Sequence, residues 1–150
     1  MRKIVDYRKV LGVDKNAELQ ELKTVYRTLM KNWHPDKFTE SAESKLEAEE
    51  KSKSIIEAYH FLVSIAPETI ENLLPEFKET ITSSIISDYQ YTQGILEVFF
   101  LNGSSYEFHN VPKNTYTKLV NADSPSRFAK RHIYNEFIFR KATNTNMEMA

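Results

Sequence analysis

The spacing of apolar residues changes near Ser83, and this change constrains the fold more than any other feature of the 150-residue sequence. Before Ser83, apolar residues recur three and four positions apart, which is typical of amphipathic helices. After it, they alternate in short runs between turn signals, which favours antiparallel strands. We therefore predict an α+β protein of two small domains, with an N-terminal antiparallel helical hairpin and short flanking helices, then a C-terminal antiparallel β-meander with helices.

The N-terminal part contains two long amphipathic segments, preceded by a short helix that Gly12 ends. The first long helix is predicted from about Glu18 to Asn32, with Asp14 or Asn16 as its N-cap. A second helix follows an acidic stretch. The apolar positions predicted to face inward are Leu22, Val25, Tyr26, Leu29 and Trp33 in the first helix, and Ala48, Ile55, Ala58, Tyr59 and Leu62 in the second. A loop of about 6–9 residues between them predicts antiparallel packing.

The connecting loop contains the run Trp33–Lys37, whose sequence is Trp-His-Pro-Asp-Lys. Because Pro35 lies between two helices, we expect the loop to be displayed and not buried. Catalysis by His34 would need a nearby nucleophile or a phosphate-binding Gly loop, and a sequence with three Gly offers neither here. A docking role suits the loop better, since His34 and Asp36 provide a donor and an acceptor on a restricted backbone.

A basic row leads into this loop. Lys23, Arg27 and Lys31 follow one another at intervals of four residues and therefore lie along one face of the helix. Such a row is often only a solvated surface. Beside the loop, it could instead meet an acidic partner surface and speed association, and we favour this interpretation.

Composition excludes several classes of function. The chain has no Cys, which rules out disulfides, thiolate zinc sites and cysteine nucleophiles, and its four His show no metal-ligand spacing, so we expect no metal or cofactor. The net charge of −1 does not indicate nucleic-acid binding by itself. The first residues lack the apolar run of a signal peptide, and no apolar stretch approaches membrane-spanning length. A cytoplasmic protein without a membrane partner is the expectation.

Turn signals organise the rest of the chain. Pro67 and Pro75 are each predicted to begin a short helix. Further on, Gly94 and the pair Asn102-Gly103 are predicted to form hairpin turns, and a helix is predicted from Lys113 to Asn121. The predicted domains are residues 1–70, a helical linker 71–82, a C-terminal domain 83–141 and a flexible tail 142–150.

The N-terminal motifs together resemble the J domain of DnaJ-type co-chaperones. The resemblance covers roughly residues 4–66 and rests on segments in the family's order: Asp6–Val13, Leu22–Leu29, Trp33–Lys37 and Ile55–Leu62. It implies a four-helix unit that docks on a DnaK-type heat-shock ATPase and stimulates that partner's ATP hydrolysis, while the chain itself catalyses nothing. By position, the stimulating tripeptide would be His34, Pro35 and Asp36, and the residues that contact the partner would be Lys23, Arg27, Lys31 and Lys37.

The chain departs from the J-domain pattern in three places. Thr28 stands where a second basic residue is frequent, and Ser52 stands where helix three usually has an aromatic residue, which predicts a looser core or a neighbour that fills the space. The segment after Pro67 is acidic, whereas the family's fourth helix is basic. Without Cys and with three Gly, this sequence has neither a zinc-binding client region nor a Gly/Phe-rich linker, so it resembles the specialised class whose second domain selects a client or a location.

Residues 82–141 are similar to the KTSC domain, a small module also found in some lysyl-tRNA synthetases. The similarity rests on Gly94–Phe100, Tyr106–Phe108, Val111-Pro112 and Ser126–Ile133. Two interpretations stay open. RNA could bind through stacking aromatic and basic side chains, or these aromatic residues could form the core with the charges merely solvated. The candidate RNA-binding residues are Tyr106, Phe108, Arg127, Phe128, Lys130 and Arg131, with further charge at Arg140 and Lys141.

Two weaker alternatives concern the same C-terminal domain. It could hold an unfolded client protein or another protein partner. His132 with Arg127 and Arg131 could also suggest phosphodiester chemistry, but the sequence shows no second catalytic group.

Overall fold

A computed structural model describes residues 4–142 of the chain. Its elements are α1 (Ile4–Leu11), α2 (Leu19–Trp33), a 3-10 turn (Pro35–Lys37), α3 (Ala42–Ser64), α4 (Pro67–Ser83), β1 (Ile86–Thr92), β2 (Ile95–Phe100), β3 (Ser105–His109), α5 (Lys113–Val120), α6 (Pro125–His132) and β4 (Ile138–Lys141). This order confirms the α+β prediction. Apart from Ala142, the predicted tail lies outside the described residues.

The chain divides into two compact units, the first ending at Glu71 and the second beginning at Asn72. Across residues 4–142, no helix combines the length and apolar character needed to cross a membrane.

The first unit is built on an antiparallel pair, α2 and α3. Trp33 at the end of α2 is hydrogen-bonded to Ser52, whereas Tyr26, about two turns earlier, stacks on Tyr59, about two turns later in α3. The two helices therefore run in opposite directions, as the sequence predicted. The core cluster of this unit comprises Tyr7, Leu11, Ala17, Leu22, Ile55, Ala58, Leu62 and Ala66. Gly12 ends α1 with a φ of +72°, in the left-handed region that favours glycine.

The N-terminus of α2 is capped by a residue that the sequence did not indicate. Both carboxylate oxygens of Glu68, in the first turn of α4, accept hydrogen bonds from the Leu19 N–H, at 3.2 and 3.3 Å. Asp14 instead accepts from the Asn16 N–H at 2.8 Å within the preceding turn. The prediction that Asp14 or Asn16 caps the helix is therefore wrong, because a tertiary contact supplies the acceptor.

α4 is one continuous helix, with Pro75 inside it. The prediction of two short helices, beginning at Pro67 and Pro75, is therefore wrong. Pro75 has no N–H, so the helical hydrogen bond to the Glu71 carbonyl cannot form, and the division between the units falls at this point. The helix tolerates this loss because each end is packed in its own unit, through Glu68 in the first and Phe77 in the second.

The second unit contains a four-stranded antiparallel sheet in the order β1-β2-β3-β4. Gln93 and Gly94 join β1 to β2 with φ values of +50° and +83°, as a two-residue type I′ turn requires. Gly103, with a φ of +90°, lies in the turn from β2 to β3, and Asn102 Oδ1 accepts from the Ser104 N–H at 2.9 Å. Both hairpins were predicted, whereas β4 was not.

An aromatic cluster forms the core of the second unit. Phe77 of α4 stacks on Phe139 with ring centroids 4.0 Å apart and meets Tyr106 edge-on at 5.0 Å. The alternating residues of β2 are buried as predicted: Leu96, Val98 and Phe100. Other buried apolar residues of the second unit are Phe108, Val111, Leu119, Ala129, Ile133 and Tyr134. A residue from the helix before the sheet thus lies at the centre of this core.

Candidate functional site

The His34–Phe38 segment is organised by its own short-range hydrogen bonds. The N–H of Lys37 donates to the His34 carbonyl at 3.0 Å, and the N–H of Phe38 donates to the Pro35 carbonyl at 3.0 Å. Pro35 begins the 3-10 turn, where its missing N–H costs nothing. Residues 34–38 therefore present a defined turn in the connection between α2 and α3.

The ring of His34 has a defined tautomer within this turn. The N–H of Asp36 donates to His34 Nδ1 at 3.2 Å, so Nδ1 must offer a lone pair, and the neutral ring carries its proton on Nε2. The Asp36 carboxylate is 3.6 Å from the same Nδ1, which would become an ion pair only after protonation. The His34 side chain is 52% exposed and the Asp36 side chain 89% exposed. Both functional groups are thus accessible to a partner.

Trp33 connects this turn to the two long helices. Its ring lies parallel to that of Phe38, with centroids 5.8 Å apart, and the ammonium of Lys51 lies 5.6 Å from the centre of the indole. Ser52 follows Lys51 in α3, and its hydroxyl donates to the Trp33 carbonyl at 2.8 Å. Ser52 is buried, and its hydroxyl satisfies a carbonyl at the end of α2. A small residue that forms a specific polar contact thus stands where an aromatic ring is usual.

The basic row lies as predicted. Lys23, Arg27 and Lys31 are all exposed on α2, and Lys37 is exposed in the turn. Within residues 4–142, none of the four forms an ion pair with an acidic side chain. The structure therefore places a line of accessible positive charge along the helix that leads into the His-Pro-Asp turn.

Two of the candidate RNA-binding residues are core residues. Tyr106 and Phe108 are fully buried between the sheet and α4, so their rings cannot stack on bases. This corrects the prediction for both, and the reason is periodicity: alternate residues of β3 face the same side as Leu96 and Val98 of the paired strand. Only the basic part of the predicted surface stays accessible.

That basic part lies on α6. Arg127, Lys130, Arg131 and His132 are exposed there, and the half-buried ring of Phe128 lies 4.8 Å from the His132 ring. Of these, Arg127, Phe128, Arg131 and His132 line a surface depression of about 230 Å³, which also includes the acidic Asp123. The structure thus brings four of the six predicted RNA-binding residues onto one short helix.

The two further basic residues named from the sequence, Arg140 and Lys141, are paired. The guanidinium of Arg140 donates to Glu107 at 3.1 Å, and Lys141 donates to Glu76 at 2.7 Å. Burial alone would raise the pKa of Glu107, but the hydrogen bond from His109 and the charge of Arg140 outweigh it and lower the pKa below its ordinary value. Arg140 therefore joins β4 to β3, Lys141 joins β4 to α4, and neither adds an unpaired charge to the basic surface of α6.

Among the described residues, no group of three or more His, Asp or Glu is placed to hold a metal ion. For Ser52 the sequence predicted a looser core or a neighbour that fills the space, and the structure shows its hydroxyl bound to the Trp33 carbonyl. The sequence did not identify Glu68 as the cap of α2, because Glu68 lies 49 positions from the N–H that it accepts.

Comparisons with known proteins divide the chain in the same order as the structure. A DnaJ domain model matches residues 6–68, and a KTSC domain model matches residues 82–137. Chaperone protein DnaJ of Thermoplasma acidophilum is 54% identical over 57 residues, which are 38% of this chain and 15% of that protein. The DnaJ protein of Mesomycoplasma hyopneumoniae is 52% identical over 58 residues, 38% of this chain and 16% of that protein.

A vertebrate relative is similar over the same extent. DnaJ homolog subfamily B member 6 of Gallus gallus is 48% identical over 59 residues, which cover 39% of this chain and 17% of that protein. The chain thus spans between 15% and 17% of the length of these three curated relatives.

Proposed function

Because the chain carries a DnaJ domain at residues 6–68 followed by a KTSC domain at residues 82–137, we propose that it acts as a specialised J-domain co-chaperone. In this proposal, the first unit docks on a DnaK-type heat-shock ATPase and stimulates hydrolysis of ATP by that partner. The J-domain co-chaperone family is not one of classical enzymes, so the chemistry belongs to the ATPase.

The observation that carries the proposal is the exposed His34-Pro35-Asp36 turn at the end of a basic row that forms no ion pair within residues 4–142. The turn offers a donor at His34 Nε2 and a carboxylate at Asp36 on a backbone that Pro35 restricts. The row on α2 supplies long-range attraction to an acidic surface, which raises the association rate and orients the encounter. Together they describe a rigid docking epitope with electrostatic steering.

The test is the steady-state ATPase rate of a purified DnaK-type protein with increasing amounts of this chain. We expect the wild-type chain to raise the rate and His34→Gln to abolish the stimulation, since glutamine cannot reproduce the imidazole geometry of the turn. His60→Gln is a matched control, because His60 is an exposed histidine on α3 outside the turn. A wild-type chain that leaves the ATPase rate unchanged would refute the proposal.

The second unit, in this proposal, selects the client protein or the location at which the ATPase is recruited. Support comes from its division from the first unit and from its separate aromatic core. Crosslinking in cell extract should therefore capture a protein through the second unit that still binds when His34 is replaced. Capture that depends entirely on His34 would argue against this division of roles.

RNA binding through the KTSC domain is the second candidate function, and the basic surface of α6 favours it. Four exposed cationic or ionisable side chains lie on two turns of α6, with Phe128 beside them. Titration of labelled tRNA with the full chain, followed by fluorescence anisotropy, should show binding that weakens steeply with salt. Arg131→Glu should weaken it, whereas Lys118→Glu on α5 should have a smaller effect. Absence of binding at low salt would exclude this function.

A further inference from the structure

We propose that Ser52 is a positioning residue for the His-Pro-Asp turn, acting through the carbonyl of Trp33. This inference rests on the proposed docking role of the turn. The hydrogen bond from Ser52 Oγ to the Trp33 carbonyl joins two residues 19 positions apart, at 2.8 Å. Trp33 is the residue immediately before His34, so the contact fixes the point at which the chain leaves α2.

The backbone N–H groups that follow Pro35 in the turn all donate to acceptors within the turn, so none of them reaches the Trp33 carbonyl. The Asp36 N–H donates to His34 Nδ1, and the Lys37 N–H donates to the His34 carbonyl. The Phe38 N–H donates to the Pro35 carbonyl, and Pro35 itself has no N–H. A helix normally leaves its last carbonyls without internal partners, so the Trp33 carbonyl needs a donor from outside α2. Ser52 is that donor.

Burial makes this contact difficult to replace. Ser52 is 5% exposed, so water has little access to the place of its hydroxyl if that hydroxyl is removed. Lys51 contacts the ring of the same tryptophan, and the ring of Phe38, at the end of the turn, is stacked on it. Two consecutive residues of α3 therefore hold Trp33, one by its ring and one by its backbone. Of these contacts, only the hydrogen bond of Ser52 acts directly on the backbone that leads into His34.

The first experiment measures amide hydrogen exchange by NMR in the full chain. We expect Ser52→Ala to accelerate exchange at Lys37 and Phe38 about fivefold, the factor that corresponds to one net hydrogen bond. Ser52→Thr keeps the hydroxyl and should return exchange to within about twofold of wild type. Ser64→Ala removes a hydroxyl that bonds within α3 at Phe61 and should leave the turn unchanged. Equal acceleration throughout α2 and α3, or none at the turn, would overturn the inference.

The second experiment measures stimulation of the DnaK-type ATPase at saturating concentrations of each variant. Ser52→Ala should lower the maximal stimulation about fivefold with little change in the half-saturating concentration, because the basic row is intact. Ser52→Thr should restore it. If the wild type stimulates and Ser52→Ala does so equally, the positioning role is refuted and the co-chaperone proposal stands. If the wild type does not stimulate, the co-chaperone proposal fails, and the exchange measurement still decides the role of Ser52.

Discussion

Replacing Phe77 by alanine should destabilise the second unit and leave the first unit intact. Phe77 is 2% exposed and lies at the centre of four aromatic partners: Phe139, Tyr106, Phe108 and Tyr134. Truncation of a buried Phe to Ala costs about 3–5 kcal/mol, and each well-oriented aromatic pair adds about 0.5–1.5 kcal/mol beyond the buried area. We therefore expect a loss near the upper limit, about 5 kcal/mol.

This loss is large relative to the stability of the unit. A domain of about 70 residues has a free energy of unfolding of about 4–10 kcal/mol, so Phe77→Ala should leave it marginally stable or unfolded. Phe77→Leu keeps most of the volume and loses only the ring geometry, with an expected cost of about 1.5 kcal/mol. Lys78→Ala changes the exposed neighbour on the same helix and should shift stability by less than about 0.5 kcal/mol.

Guanidinium unfolding with two probes separates the units. Fluorescence of Trp33, the single tryptophan of the chain, reports on the first unit, and methyl NMR signals of Leu96 and Val98 report on the second. We expect Phe77→Ala to move only the methyl-detected transition. A methyl-detected loss below about 1 kcal/mol, or a larger shift in the Trp33 transition, would refute the placement of Phe77 in the second core.

Three further predictions concern charge and burial. If the proposed docking occurs, Arg27→Glu should weaken binding to a DnaK-type protein about fivefold at low salt and less at high salt, because exposed charges are screened. Lys15→Glu, outside the basic row, should change it little. The pKa of Glu107 is lowered in the folded protein, so its ionised carboxylate stabilises the fold fully above the ordinary pKa of 4.5. This stabilisation is lost as the pH falls through the lower pKa of the folded state. In guanidinium unfolding at several pH values, Glu107→Gln should therefore flatten the dependence of stability on pH in this range. Tyr106→Phe removes a buried hydroxyl that has no hydrogen-bond partner among residues 4–142. Thermal unfolding should show that the variant is as stable as the wild type or more stable by up to about 1 kcal/mol. A clear loss of stability would contradict the absence of a hydrogen bond at this hydroxyl.

Local signals predicted most of the fold. The helical period of α2 placed Leu22 inward, and the hairpins were readable because Gly94 and Gly103 occupy left-handed conformations that few residues adopt. The display of the His34 turn followed from a proline between two amphipathic helices. Each of these features is encoded within a few neighbouring residues.

Features that depend on distant partners were not predictable. Glu68 caps α2 from 49 residues away, and a cap that is not adjacent to its helix leaves no local pattern. Pro75 is tolerated inside α4 because tertiary packing outweighs a missing hydrogen bond, which a local rule for proline does not include. The strand β4 has four residues, too few for an alternation to be recognised.

The sequence alone did not decide whether Tyr106 and Phe108 are buried or exposed. An aromatic pair on alternate positions fits both a stacking platform and one face of a small core, and only the paired strands decide between them. The structure assigns both rings to the core, so the candidate nucleic-acid surface is reduced to α6.

The assignment of Glu68 and Phe77 to different units limits how these domains could be exchanged by recombination. A breakpoint before Glu68 would leave an incoming J domain to supply its own cap for α2, and a breakpoint after Phe77 would separate the KTSC sheet from the ring that fills its core. The KTSC match, residues 82–137, contains neither Phe77 nor its stacking partner Phe139. In another protein, the same sheet would therefore need a preceding helix with an aromatic residue equivalent to Phe77, and a fourth strand after the matched segment. A breakpoint that separates the two domains without loss lies between Glu68 and Phe77.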